Sequence, residues 1–173
     1  MLDAAKYSAF EVLRDGRRVE IRALRKEDRA ALLAAVEHTS TQSLYRRFFG
    51  VKRKFTEKEI AFFINIDFKN HVALVVVVNQ DGRQTIIGGG RYIVVRLGTA
   101  ELAFAVIDEF QGQGIGAALM RHLTTIARDA GLKEFIAEVL PDNIAMLKVF
   151  EKSGLRVHTK EEARVVHVAL ELV

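Results

Sequence analysis

Val106 Ile107 Asp108 Glu109 Phe110 Gln111 Gly112 Gln113 Gly114 Ile115 Gly116 Ala117 Ala118 Leu119 is the stretch on which the fold turns, because the hydrophobic period changes across it. Before it, Thr99 to Val106 alternates as a strand; after it, Ile115, Leu119, Leu123, Ile126 and Ala130 recur at helical spacing, and Gly131 stands where a helix is closed. Three glycines lie between the two elements and let the backbone come close to a ligand. The first N–H groups of a helix have no partner within it, and the macrodipole adds roughly half a positive charge there. A strand, a glycine loop and a helix N-terminus in that order suit a pyrophosphate.

Downstream, Glu134 to Leu140 reads as a strand and Asn143 to Ser153 as a helix with apolar Ala145, Met146, Val149 and Phe150, closed by Gly154. A last strand follows near Arg164 to Leu170, with room for a short one at Leu155 to His158. Upstream, His71 to Val78, the turn Asn79 Gln80 Asp81 Gly82, Gln84 to Val95 and Thr99 to Val106 read as a three-stranded meander. Thr56 with Glu59 three residues on is a capping box for a helix running to about Asn65, and Thr41 to Phe49 is a further helical stretch. Val19 to Leu24 alternates as a half-buried strand, and Glu27 to Glu37 has helical spacing. The expected order is β α α α β β β α β α β, with a mainly helical first third. That is an α/β fold built on a mixed sheet.

The 173 residues, half of them hydrophobic, are enough for one core, and without a linker or repeat the reading is a single domain over 1–173. The absence of cysteine excludes a thiolate nucleophile and any Cys-containing metal site, and fits a reducing compartment. The longest apolar run, Val72 to Val78, is far below the ~20 residues of a membrane span. The N-terminus lacks a signal-peptide pattern, so the expected location is the cytoplasm. Residues 1–60 carry 14 Lys/Arg against 9 Asp/Glu, and residues 61–173 carry 12 against 13, so the basic surplus is N-terminal. With no nucleic-acid motif beside it, that surplus reads as a solvated face, and no nucleic-acid or membrane partner is expected. The five histidines show neither H-x-x-x-H nor H-E-x-x-H spacing, so no metal site is expected.

Taken alone, the glycines are ambiguous. Gly112, Gly114 and Ala117 also satisfy G-x-G-x-x-A, with Glu138 about where a ribose-binding acid would stand. A dinucleotide fold, however, places that turn after its first strand and needs several βα units afterwards, for which the chain is too short. No G-x-x-x-x-G-K-[ST] occurs, which excludes a P-loop, and a glycine turn without a ligand remains the plain structural alternative.

Gln111, Gly114 and Gly116 match the Q/R-x-x-G-x-G/A loop of GNAT N-acetyltransferases, and Val106, Ile115 and Leu119 fit around it. Asn143, Ala145, Met146, Phe150, Lys152, Gly154 and Leu155 resemble that family's N-x-x-A/M…Y/F-x-K-x-G-F/L segment. Together the matches cover about residues 19–170. Leu44 Tyr45 Arg46 Arg47 Phe48 Phe49 and Ala100 Glu101 Leu102 Ala103 are similar to the acetyltransferase domain of bacterial protein-lysine acetyltransferases, though neither of the domains often fused to it is present in these residues.

The resemblance implies a GNAT-type mixed, splayed central sheet flanked by helices, and acetyl-CoA as acyl donor. Its pyrophosphate would meet backbone N–H groups from Gln113 to Ala117, with Ala105, Val106, Gln111 and Gly112 beside it and a backbone N–H near Val106 polarising the thioester carbonyl. It also implies direct attack by an amine in a ternary complex. A lysine-like ammonium with pKa near ~10.4 costs about 4 to 5 kcal/mol to deprotonate at pH 7, so a general base is required. Glu101 shares a strand face with Ala103 and Ala105; periodicity alone makes it a surface glutamate, and the resemblance makes it the base. Asn143 is a pantetheine or substrate contact by analogy and an N-cap by position. Phe150 stands where many relatives have a tyrosine thought to protonate the CoA thiolate, a role phenylalanine cannot fill. The acceptor implied is a primary amine, first a protein lysine, with a small amine or a non-catalytic acyl-CoA-binding module as alternatives, and a homodimer is among the assemblies it allows.

Overall fold

The computed structural model of the chain describes residues 2–38 and 55–173. Strands β1 (Ser8–Val12), β2 (Arg18–Ala23), β3 (His71–Gln80), β4 (Arg83–Arg96), β5 (Thr99–Val106), β6 (Glu134–Val139), β7 (Arg156–Glu162) and β8 (Val165–Glu171) form one sheet in the order β1-β2-β3-β4-β5-β6-β8-β7. Helices α1 (Arg29–Glu37), α2 (Glu57–Ile64), α3 (Ile115–Asp129) and α4 (Ile144–Glu151) flank it. The sheet is mixed because β5 and β6 run parallel while the other neighbours are antiparallel. None of the described helices is long and apolar enough to cross a membrane. The expected helix within Thr41 to Phe49 lies outside the described residues.

Alternation along the central strands sorts their side chains onto two faces. Tyr92, Leu102, Phe104 and Phe135 point to the face covered by α3 and α4, where they bury against Leu119, Leu123, Ile126 and Phe150. Ala73, Val75, Val77 and Ile86 point to the other, with Leu24, Ile64 and the apolar sides of α1 and α2. The unbroken Val72–Val78 run is therefore a strand buried on both faces. At the start of α1, the buried Arg22 guanidinium donates to both oxygens of Asp28 at 2.8 and 2.9 Å, and the same carboxylate accepts the Arg25 N–H at 2.7 Å. That clasp fixes where α1 leaves β2.

Most elements stand where the pattern places them. Thr56 and Glu59 form the capping box of α2, Gly131 and Gly154 take positive φ after α3 and α4, and the β3–β4 turn narrows to Asp81 and Gly82, both at positive φ. One correction concerns the N-terminal stretch, where Ser8–Val12 is an edge strand paired with β2 that the expected order lacks. Its pattern is inverted. Phe10 and Val12 face solvent, Phe10 under the Arg18 guanidinium at 4.4 Å, while Ala9 and Glu11 turn inward. The short strand at Leu155 to His158 is longer than expected, running to Glu162 with polar side chains that its edge position tolerates.

The glycine run in β4 is a packing requirement. A Cβ on Gly90 would stand 2.5 Å from the Phe104 ring and 3.2 Å from Leu123, and one on Gly89 would stand 2.9 Å from the Leu74 carbonyl oxygen. We expect Gly90→Ala to destabilise the fold by about 1 to 3 kcal/mol through overpacking. Urea unfolding monitored by circular dichroism measures it.

Candidate active site

The sheet opens between β5 and β6. Their parallel pairing comprises Thr99↔Glu134, Ala100↔Phe135 and Glu101↔Ile136, and no β6 residue pairs with β5 beyond Glu101. From that rung the strands fork, and a cleft of about 850 Å³ occupies the space. The backbone of β5 is divided between its two sides. Ile107 N–H donates to the Ile87 carbonyl of the β4 side at 2.9 Å, so by alternation the N–H of Val106 and of Phe104 turns away from β4, towards the fork. The Val106 carbonyl is taken by the Gln111 side-chain amide at 3.0 Å, which ties the loop to the strand end.

At the head of the cleft Gly112 and Gly114 have φ of 79° and 91°, and a Cβ on either would meet nothing within 4 Å. Both glycines are therefore required by conformation, and the space over them is open. The first intrahelical bond runs from Ala118 N–H to the Gly114 carbonyl at 3.1 Å, which leaves the N–H groups of Ile115, Gly116 and Ala117 at the helix mouth. A Cβ on Gly116 would approach Val149 of α4 at 3.2 Å, so this residue also sets how near the two helices come.

Eleven of the twelve residues expected at the site line this one cleft: Glu101, Ala105, Val106, Gln111, Gly112, Gly114, Ile115, Gly116, Ala117, Asn143 and Phe150. Gln113 is turned the other way. Its carbonyl accepts from Arg14 N–H and its side-chain oxygen from Asp15 N–H, while Arg14 Nη1 donates to the Gly112 carbonyl at 3.0 Å. The β1–β2 turn thus braces the loop from behind. Asn143 caps α4, accepting from Met146 N–H at 3.3 Å, and also lines the cleft.

On the α1 and α2 face, Glu101 is exposed at the point of the fork, on the same face as Ala103 and Ala105. Arg91, opposite Ala103 on β4, donates to the Phe63 carbonyl at 3.1 Å and to His71 Nε2 at 3.0 Å. Burial and the neighbouring Arg91 charge push the His71 imidazole down to about 4, so at neutral pH it is an uncharged acceptor. Leu32, Leu33 and Val36 of α1, with Phe55, Ile60 and Phe63, make the apolar wall here. Arg91 and this wall were missed from sequence. The Gly88 Gly89 Gly90 run was the available signal, since glycines inside a strand mark close approach.

Phe150 is buried, lies obliquely against Phe104 at 6.2 Å between centroids, and lines the cleft. Phe150→Tyr is expected to keep turnover within about tenfold of the parent, because a thiol with pKa near ~8.5 leaves readily as the thiolate. Steady-state release of CoA measures it, and a large gain would show that protonation limits the rate.

The donor implied by the loop fits these residues: the helix mouth offers three N–H groups to a diphosphate, and the fork offers strand N–H groups to an extended amide-bearing arm. Comparison with known proteins agrees. The sequence pattern of the Acetyltransferase (GNAT) family matches residues 38–155. An acetyltransferase of Pseudomonas aeruginosa is 34% identical over 154 residues, 83% of either chain. Acetyltransferase Pat of Mycolicibacterium smegmatis is 38% identical over 119 residues, 66% of this chain but 34% of that longer protein. The crystal structure of the GNAT domain of S. lividans PAT superposes with a TM-score of 0.85 at 33% identity, covering 95% of this chain and 96% of that one. Sequence, forked sheet and relatives converge, and the chain belongs to the GNAT family of acetyltransferases, enzymes that use acetyl-CoA as donor for N-acetyl transfer.

Proposed function

We propose that the chain transfers the acetyl group of acetyl-CoA to the ε-amine of a protein lysine, by direct attack in a ternary complex with Glu101 as general base. The observation that carries this reading is an exposed carboxylate at the last rung of the β5–β6 fork, on the face opposite α3 and α4. The diphosphate binds the N–H groups at the mouth of α3 and the pantetheine arm extends along β5. The thioester lies in the fork, its carbonyl oxygen accepting from the Val106 N–H, which stabilises the charge that develops there. The ammonium enters from the α1 and α2 face, gives a proton to Glu101, and the free amine attacks the carbonyl carbon. The carbon–sulfur bond breaks, CoA leaves as thiolate, the nitrogen releases its second proton to solvent water, and the amide product carries the acetyl group.

A macromolecular acceptor is favoured by the open approach. Glu101 is solvent-exposed, and beyond it the face formed by Glu138, His167 and His158 carries no helix among the described residues. The basic surplus of residues 1–60 would repel a polyamine and attract an acidic protein surface. The 173 residues act as one catalytic unit, and the absence of cysteine suits the cytoplasm. CoA release measured with a lysine peptide in an acidic context, with spermidine and without acceptor tests the reading. Release with the peptide and mass-spectrometric acetylation at its lysine is the expected result; release with spermidine alone would assign a small-amine acceptor.

A further inference from the structure

Glu138 is unused by the reaction as derived so far, yet it lines the same cleft. It lies on β6 two residues past Ile136, the partner of Glu101 on the last rung. Paired residues share a sheet face and so do residues two apart on a strand, which puts Glu138 on the face of Glu101, across the fork from it. The separation of their Cα atoms follows from strand geometry: one interstrand spacing sideways and two residues along give roughly 8 Å, widened by the splay. A single ammonium at the fork then falls within the ~4 to 6 Å over which each carboxylate favours an opposite charge.

The neighbours leave this carboxylate available. Glu134, on the same face of the same strand, meets Arg96 at 3.5 Å, and Glu171 meets Arg156 at 3.4 Å, so both are accounted for by cations. Glu138 has no Lys or Arg ion pair among the described residues, and its side chain is 51% exposed. His167, across the β8 rung, holds Nδ1 3.8 Å from Oε1, beyond hydrogen-bond length.

We propose that Glu138 is a second acceptor-recognition carboxylate, which holds the substrate amine as its ammonium on the far bank of the fork until Glu101 takes the proton. The inference rests on the acetyl-transfer reading above. Glu138 binds charge and does not remove it, so its loss weakens acceptor binding and leaves the chemical step to Glu101. The pair selects cationic amines over neutral nucleophiles of the same shape.

The test needs no natural acceptor. S-(2-aminoethyl)-CoA places an ammonium where the attacking nitrogen would stand, and S-propyl-CoA places a methyl group there; calorimetry on the full chain gives the affinity ratio of the two. The parent should prefer the ammonium ligand, Glu138→Gln should cut that preference by about 5- to 30-fold with S-propyl-CoA affinity unchanged, and Glu138→Asp should restore part of it. Raising the salt concentration should erode the preference in the parent more than in Glu138→Gln. A preference unchanged in Glu138→Gln overturns the proposal, as does an equal loss of both ligands, which would make the residue a support of the donor groove. If the parent binds neither ligand, the donor site itself is wrong and the inference falls with it.

Discussion

Replacing Glu101 by glutamine should lower kcat by about 10² to 10⁴-fold while acetyl-CoA affinity stays nearly unchanged, because the amide keeps the shape of the side chain and cannot accept a proton. The size follows from the proton. At pH 7 an amine with pKa near ~10.4 is free about once in 10³ to 10⁴ molecules, and a base at the point of the fork removes that handicap. The sign of the pH dependence follows too. As pH rises towards the pKa of the amine, the acceptor loses its proton without help, so the gap between Glu101→Gln and the parent should narrow. Initial rates of CoA release from pH 7 to 10 with any working lysine peptide measure both effects, and full activity of the variant at pH 7 would remove Glu101 from the mechanism.

Gly114→Val should abolish measurable acetyl-CoA binding, a loss of at least about 10²-fold, while the chain still folds. Nothing lies within 4 Å of a Cβ at this position, so the protein itself does not object to the side chain. The objection comes from φ of 91°, which a β-branched residue does not adopt without strain. The loop must rearrange, the N–H groups of Ile115 to Ala117 lose their aim, and the added methyls stand over the mouth of α3 where the diphosphate belongs. Calorimetric titration with CoA on a variant of native circular dichroism decides it. Unchanged affinity would detach this loop from the donor.

The glycine loop, the helix that follows it and the Asn143 cap were legible because each rests on local rules: a change of period, positive φ after a helix, a side chain bonding three residues on. Elements whose pattern is set by distant partners were not. Strand β1 reads poorly because Phe10 lies outward under Arg18 while Glu11 turns in to meet Arg121 at 2.9 Å and His122 at 2.8 Å, partners more than a hundred residues away. The fork depends on where β5 and β6 stop pairing, a long-range register that no window of sequence contains; only the family resemblance anticipated a splayed sheet. Arg91 was silent for the same reason, since its partners Phe63 and His71 come from two other elements. Glu138 was weighed in sequence only as a ribose contact of the rejected dinucleotide reading, and it is the β5–β6 register that brings it to the bank opposite Glu101.

The most direct test of the account is a crystal structure with acetyl-CoA bound, read at one atom, the thioester carbonyl carbon. That carbon is expected in the β5–β6 fork, with its oxygen accepting from the Val106 N–H, the diphosphate on the N–H groups of Ile115 to Ala117, and Glu101 on the open side from which an amine would arrive. A thioester lying outside the fork, or one whose open side faces away from Glu101, would contradict it.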